Sequence, residues 1–312
     1  MSLAALASTA RHMLCTAALL HAGLVYAGDN PAPSPVLDPA RVGWSEISMT
    51  ATKLFLSAEA RLTLSMVPEA PIHSELLSIP GMRTIAPGAE VLQTVYNAGG
   101  LGRRSRITLL MDPANGAAIQ GTNHDLEGKH RYRVWRFGET GAYQRTRWPM
   151  NRAEESLPPA KWTKTSEGAR IYPVDPAGQP VLESTGLLYA IAAAALDKPG
   201  DQVELLVFRR RDTQIVHVEV VAPRAISVNY SEVWPGGAVQ RRGQVTPLRL
   251  RLRGLPVVDS SGKASDDDFE LLGLTGTIEL ALDAETRTPL MLSGSAPIFG
   301  KVTLRLTEVH LN

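Results

Sequence analysis

The strictest constraint in this sequence is a period of two. In Pro247–Arg253, Leu248, Leu250 and Leu252 alternate with Arg249, Arg251 and Arg253, and Arg61–Met66 and His130–Phe137 alternate in the same way. A strand turns successive side chains to opposite faces, so this spacing makes half-buried strands and cannot form the stripe of an amphipathic helix. The same pattern marks strands at Ile107–Met111, Ala142–Trp148, Val203–Phe208, Gln214–Val221, Gly276–Leu282, Pro289–Ser293 and Lys301–Leu311. Gly138-Glu139-Thr140-Gly141 reads as the turn of a hairpin. The short Gly, Pro and Asp punctuation between strands favours antiparallel meanders over βαβ units.

One segment breaks the period. Leu187–Leu196 carries no charge on any side, with Ser184 placed to cap its start and Lys198-Pro199-Gly200 to stop it. A helix that is apolar all round must be buried, and at about ten residues this one is too short to span a bilayer. The expected fold is therefore mainly β: a curved antiparallel sheet or open half-barrel wrapped around one short buried helix. One β-rich domain is expected over 44–312, with a long Pro-rich connection at about 156–180 (Pro158, Pro159, Pro173, Pro176, Pro180). An extended Pro-rich leader is expected over 28–43.

Residues 1–27 read as a secretory signal peptide. Arg11 and His12 precede an apolar run from Met13 to Tyr26, and Val25 and Ala27 are small residues at the −3 and −1 positions. The alternative is an uncleaved N-terminal anchor. Cleavage near Ala27 removes Cys15, the only cysteine, and Arg11 as the only charged side chain, which leaves 31 basic and 31 acidic residues. Disulfides, thiolate catalysis and Cys-ligated metals then have no place in the mature chain, which is expected in the periplasm or outside the cell. No later apolar run approaches the ~20 residues of a membrane helix. A composition of 44% hydrophobic and 20% charged residues, with a net charge of +1, excludes a disordered chain and a polybasic nucleic-acid binder.

The helical segment and its Lys-Pro-Gly-Asp201 turn run straight into Gln202–Phe208 and Gln214–Val221, and the chain ends in Ile278–Asp283, Thr288–Met291 and Gly300–Leu306. Together these resemble the exported bacterial domain-of-unknown-function 3108 family, over about residues 46–312. The resemblance implies a half-barrel similar to periplasmic lipoprotein carriers and brings no catalytic residue with it. Residues 231–273, with Trp234-Pro235-Gly236-Gly237 and an acidic loop, depart from the pattern and leave the strand count open there.

The sequence offers few catalytic constellations. Asn123–His130 holds two His, an Asp and a Glu, but Gly128 marks a turn that splays them, so no metal site is expected there. His217 lies among Ile215, Val216 and Val218 as an ordinary strand histidine. Gly100-Leu101-Gly102 leads into a strand and not a helix, which denies it a phosphate site. Ser293-Gly294-Ser295 is read as a turn, and Asp266-Asp267-Asp268 as a solvated loop rather than a Ca²⁺ site. No catalytic residue, metal or cofactor is therefore assigned. The basic residues are mostly arginine (25, against 7 Lys): Arg131 and Arg133 share a strand face, as do Arg145 and Arg147 and, in turn, Arg249, Arg251 and Arg253. If these strands are neighbours they form one Arg-lined face; the alternative is a solvent face with Glu partners across strands.

Three functions follow as expectations. The first is a non-enzymatic periplasmic binding or envelope-assembly protein that holds an apolar or lipid-like ligand, or a lipoprotein, beside Leu187, Leu188, Tyr189 and Ile191. The second is a structural module that docks an acidic envelope partner through Arg131, Arg133, Arg249, Arg251 and Arg253. The third is a hydrolase with an unrecognised site.

Overall fold

A computed structural model describes residues 36–53, 56–100, 103–128, 130–173, 176, 178–209, 212–255, 269–296 and 299–312. The signal-like segment, the first half of the Pro-rich leader (28–35) and the acidic run Asp266–Asp268 lie outside the described residues. The second half of the leader is packed and not extended, with a 3₁₀ turn at Pro39–Arg41 between buried Leu37 and Val42. The first half of the chain is a meander in which each strand is antiparallel to the one before it. Its strands are β1 (Trp44–Lys53), β2 (Leu56–Pro68), β3 (Glu90–Gly100), β4 (Arg103–Met111), β5 (Ala118–Asp125), β6 (Arg131–Phe137), β7 (Gly141–Trp148) and β8 (Lys164–Ile171). Two short helices interrupt it, α1 (Glu69–His73) and α2 (Arg152–Glu155).

The second half holds β9 (Val181–Glu183), α3 (Leu187–Ala193), β10 (Gln202–Arg209), β11 (Asp212–Val221), β12 (Ile226–Trp234) and β13 (Gly237–Val245). It continues with β14 (Leu248–Leu255), β15 (Glu270–Leu271), β16 (Leu274–Leu282), β17 (Pro289–Ala296) and β18 (Gly300–Leu311). The pairing β9-β10-β11-β14-β16-β17-β18 brings the last strand against β1, so the two halves form one sheet. β12 and β13 form a hairpin around Pro235-Gly236, and β12 lies parallel to the end of β18. Among the described residues of 231–273 lie the end of β12 and the whole of β13, β14 and β15. Parallel contacts between β9 and β10 and between β12 and β18 make the sheet mixed, although antiparallel pairs dominate.

The sheet curves without closing. Phe208 on β10 packs edge-on against Trp135 and Phe137 on β6 and against Tyr172, with ring centroids 5.1, 5.5 and 5.9 Å apart. These contacts bring the second half across the concave face of the first, and α3 fills the space between. Every α3 residue is at most 2% exposed. The helix approaches β4 so closely that a Cβ at Gly186 would sit 2.8 Å from Met111 Sδ, which leaves glycine as the residue that fits. No helix among the described residues is long and apolar enough to cross a membrane.

Several local expectations change. The helix stops at Ala193, because Arg287 Nη1 donates to the Leu196 carbonyl (2.6 Å) and its guanidinium pairs with Asp197, drawing the chain out of helical geometry. Ser184 does not cap α3, which has Gly186 at its N-cap and no side-chain cap; the Glu183 carboxylate instead caps the 3₁₀ turn Ser184–Gly186 that leads into it, accepting from Thr185 N (2.8 Å) and from the Ser184 hydroxyl. Ser293–Ser295 lies inside β17, where Ser293 pairs with Thr303. The Pro-rich connection contains β8, an edge strand exposed along its whole length. Its polar, two-sided exposure removes the alternation that would have revealed it.

Candidate functional site

Side-chain size grades along the inner face of the first half. Cross-strand partners share a face, so one inner row reads Leu64, Thr94, Leu109 and the next reads Leu62, Tyr96, Ile107. Toward the far end of the same strands the rows become Ala60, Ala98, Ser105 and then Ala58, Gly100. Near α3 the large residues meet the helix and leave no room. At the other end the small ones leave a chamber of about 650 Å³, roofed by Leu272 and Leu304 from the second half. That size lies within the range of ligand pockets, about 300–1,000 Å³.

The chamber rim is charged, with Arg104 and Arg131 set against Glu59, Asp125 and Glu127. Arg131 pairs with Asp125 (2.7 Å), Arg104 with Glu127 (2.6 Å), and Arg133 lies 3.8 Å from the same Asp125 carboxylate. Gly128 supports this rim, since its φ of +83° makes the β5–β6 turn. Tyr96 belongs to the wall of the chamber, and burial, with the Glu270 charge second, pushes its hydroxyl pKa up to about 12. It stays protonated and acts there as a neutral surface.

One step further in, the inward residues of the same strands line a smaller chamber of about 110 Å³. Ile107, Asn123 and Arg133 succeed Ser105, Asp125 and Arg131, and Glu183, Ser184 and Arg209 complete it from the second half. Asn123 Oδ1 is buried there with no hydrogen-bond partner. Glu183 lies where β9 meets α3, and burial raises its carboxyl above the ordinary range although Thr185 and Ser184 donate to it. Glu183 also lines this chamber.

The anticipated site residues separate. Leu187, Leu188, Tyr189 and Ile191 are packed in the core, and the Tyr189 hydroxyl donates to Pro113 O (2.6 Å). Helix side chains thus fill the base, and the open space lies beyond them. Arg131 and Arg133 point inward and line the two chambers. Arg145 and Arg147 point outward on the neighbouring strand, with Arg145 paired to Glu167 (2.7 Å) and Arg147 donating to Ala160 O. Arg249, Arg251 and Arg253 share the outer face of the second half, where Arg249 meets Glu279 (3.2 Å) and Arg251 meets Glu219 (3.6 Å). The three arginine groups therefore occupy three separate surfaces, because β14 is far from β6 in the pairing order.

The turn in Asn123–His130 separates Asp125 from the histidines, but His124 and His130 are not splayed apart, since both lie edge-on to Trp162. Asp125 faces inward, while His124 faces outward and packs edge-on against Tyr132 and Trp162. His217 points outward opposite Arg253, and its Nδ1 has no hydrogen bond and lies 3.7 Å from Glu204. Sequence reasoning missed Glu183, Asn123 and the small residues of the mouth. Ala58-x-Ala60 and Ala98-Gly99-Gly100 carried the signal, since they place small residues at successive inward positions. A wider cleft of about 740 Å³ lies on the outer face between β3–β5 and the loop around Arg83, but it is a gutter between a loop and one sheet face. No family model, curated protein or solved structure matches this chain.

Proposed function

We propose that the chain is a non-enzymatic binding protein of the bacterial envelope, exported to the periplasm by its N-terminal segment, which holds an apolar or lipid-like ligand inside its half-barrel. The observation that carries this is the mouth chamber of about 650 Å³, with alanine and glycine walls, a Tyr96 and Leu304 lining and a charged rim of Arg104 and Arg131 with Glu59, Asp125 and Glu127. Such a space suits the apolar segment of an amphiphile, whose burial contributes about 25 cal/mol per Å².

The test is binding of the uncharged fluorophore N-phenyl-1-naphthylamine, together with organic extraction of the natively purified protein. Binding with saturable blue-shifted fluorescence is expected, and Ala98→Leu should weaken it at least tenfold by filling the chamber. No fluorescence change and no extractable lipid would sink the proposal. The docking of an acidic partner through Arg249, Arg251 and Arg253 is less favoured, because Glu279 and Glu219 already answer two of those charges.

A further inference from the structure

The outer face of the first half carries a cleft that has no part in the half-barrel interior. Tyr132 on β6 pairs with His124 on β5 and Arg147 on β7, and Val134 pairs with Arg145, so these side chains form one outward floor. The loop of residues 75–77 stands over one side. It is held where Gln120 Oε1 accepts from Leu77 N (2.8 Å), Gln120 Nε2 donates to Glu75 O (3.2 Å) and Arg136 Nε donates to Leu77 O (3.0 Å). Pro158, Pro159 and Ala160 stand over the other side, where Arg147 Nη1 donates to Ala160 O (2.7 Å). The space between measures about 480 Å³, within the range of pockets that take small ligands.

Two charges of this cleft are left without a partner. Arg145 is held by Glu167 (2.7 Å), which also accepts from the Tyr143 hydroxyl. Glu167 feels Arg147 as well but makes no ion pair with it, so the Arg147 guanidinium has one carbonyl and no carboxylate among the described residues. On the opposite wall the Glu75 carboxylate is exposed and makes no ion pair among the described residues. Both act on the floor between them: burial raises the Tyr132 hydroxyl, a bond with Thr122 lowers it, Glu75 adds to the rise and Arg147 opposes it. Burial holds the neighbouring His124 imidazole below its usual range, so it adds no charge at neutral pH.

A simple anion drawn to Arg147 meets Glu75, and a simple cation drawn to Glu75 meets Arg145 and Arg147. A ligand that carries both signs answers both free charges, and a carboxylate matches the guanidinium fork. Leu76, Leu77, Val134 and the two prolines supply apolar surface around them. The geometry points to a binding site for a small zwitterion, a free amino acid or short peptide with an apolar side chain, its carboxylate on Arg147 and its ammonium on Glu75. This site is independent of the lipid-like ligand proposed for the interior.

The experiment is isothermal titration of the full mature chain at pH 7 with L-leucine and with L-leucyl-L-leucine, each compared with its N-acetyl and its carboxamide derivative. At least one zwitterion should bind saturably and about fivefold more tightly than either blocked form, the scale of one partly exposed ion pair. Whichever of the two binds better tells an amino-acid site from a peptide site. Glu75→Gln, at an exposed and unpaired side chain, should bring the zwitterion down to its N-acetyl form and leave its lead over the carboxamide. Arg147→Gln should do the reverse. No saturable binding of either zwitterion overturns the inference, and so does equal binding of a blocked form or an unchanged preference in both variants. A zwitterion that displaces N-phenyl-1-naphthylamine places the binding in the interior and overturns it too.

Discussion

The base and the mouth of this half-barrel are made by the same strands, the same inner face and the same pairing, yet one is solid and the other hollow. At the base, Leu109 and Met111 crowd Gly186 at the entrance of the apolar helix α3, and the helix residues are essentially without exposure. At the mouth, Ala58, Ala60, Ala98 and Gly100 occupy the equivalent inward positions, and a chamber remains. A strand fixes where a side chain points, but the volume of that side chain decides whether the space is filled. Between the two regions lie Asn123, Arg133 and Glu183, polar groups that the core could not accept without partners.

The largest effect should come from opening the base. Leu188→Ala removes a side chain that is 1% exposed, and a cavity there costs about 2–5 kcal/mol. Urea unfolding should show this as a lowered midpoint at unchanged slope. The mouth-filling Ala98→Leu should leave the midpoint nearly unmoved. Equal losses in the two variants would mean that the mouth is as tightly packed as the base, and the contrast would fall.

Loosening the clamp below α3 should cost less. Arg287 sits at φ +57°, bonds Leu196 O and Asp197, and offers its own carbonyl to Trp44 Nε1 (3.2 Å). Arg287→Ala leaves the buried Leu196 carbonyl unpaired, a loss of about 1–3 kcal/mol by thermal or chemical unfolding. An unchanged midpoint would show that the helix end is held by apolar packing alone.

The smallest effect probes the boundary. Because burial raises the Glu183 carboxyl, the folded state favours its proton. That preference is fully present below the ordinary carboxylate pKa and is lost as pH rises through the raised value. Glu183→Gln keeps an acceptor for Thr185 without the charge. Its stability relative to the parent chain should therefore rise with pH across that window and stay level below it, measured by urea midpoints from pH 4 to 8. A difference that does not change with pH would show that Glu183 is not desolvated.

Much of the fold was legible because alternation is a local property. Arg249-Leu250-Arg251-Leu252-Arg253 announces a one-sided strand by itself, and β14 has that arrangement, with leucines in the core and arginines on the surface. Strands without alternation were silent, as β8 and β13 are exposed on both faces, whereas β12 alternates Ile226, Val228 and Tyr230 with Ser227, Asn229 and Ser231 and was legible but passed over. The arginine groups were visible as groups, but adjacency of strands does not settle shared faces. Arg131–Arg133 and Arg145–Arg147 stand on neighbouring strands and point to opposite sides because Tyr132 pairs with Arg147.

The sequence by itself determined that this chain makes strands, that one apolar helix must be buried, and which residues alternate inward and outward, since each follows from backbone geometry and hydrophobicity over a few residues. Only the tertiary structure decided where the space lies. A chamber exists where Ala60, Ala98, Leu304 and Leu272 face one another, and those residues come from β2, β3, β18 and the turn after β15. Whether distant side chains fill a gap or leave it depends on their summed volumes after the sheet has curved, a quantity that no local window contains.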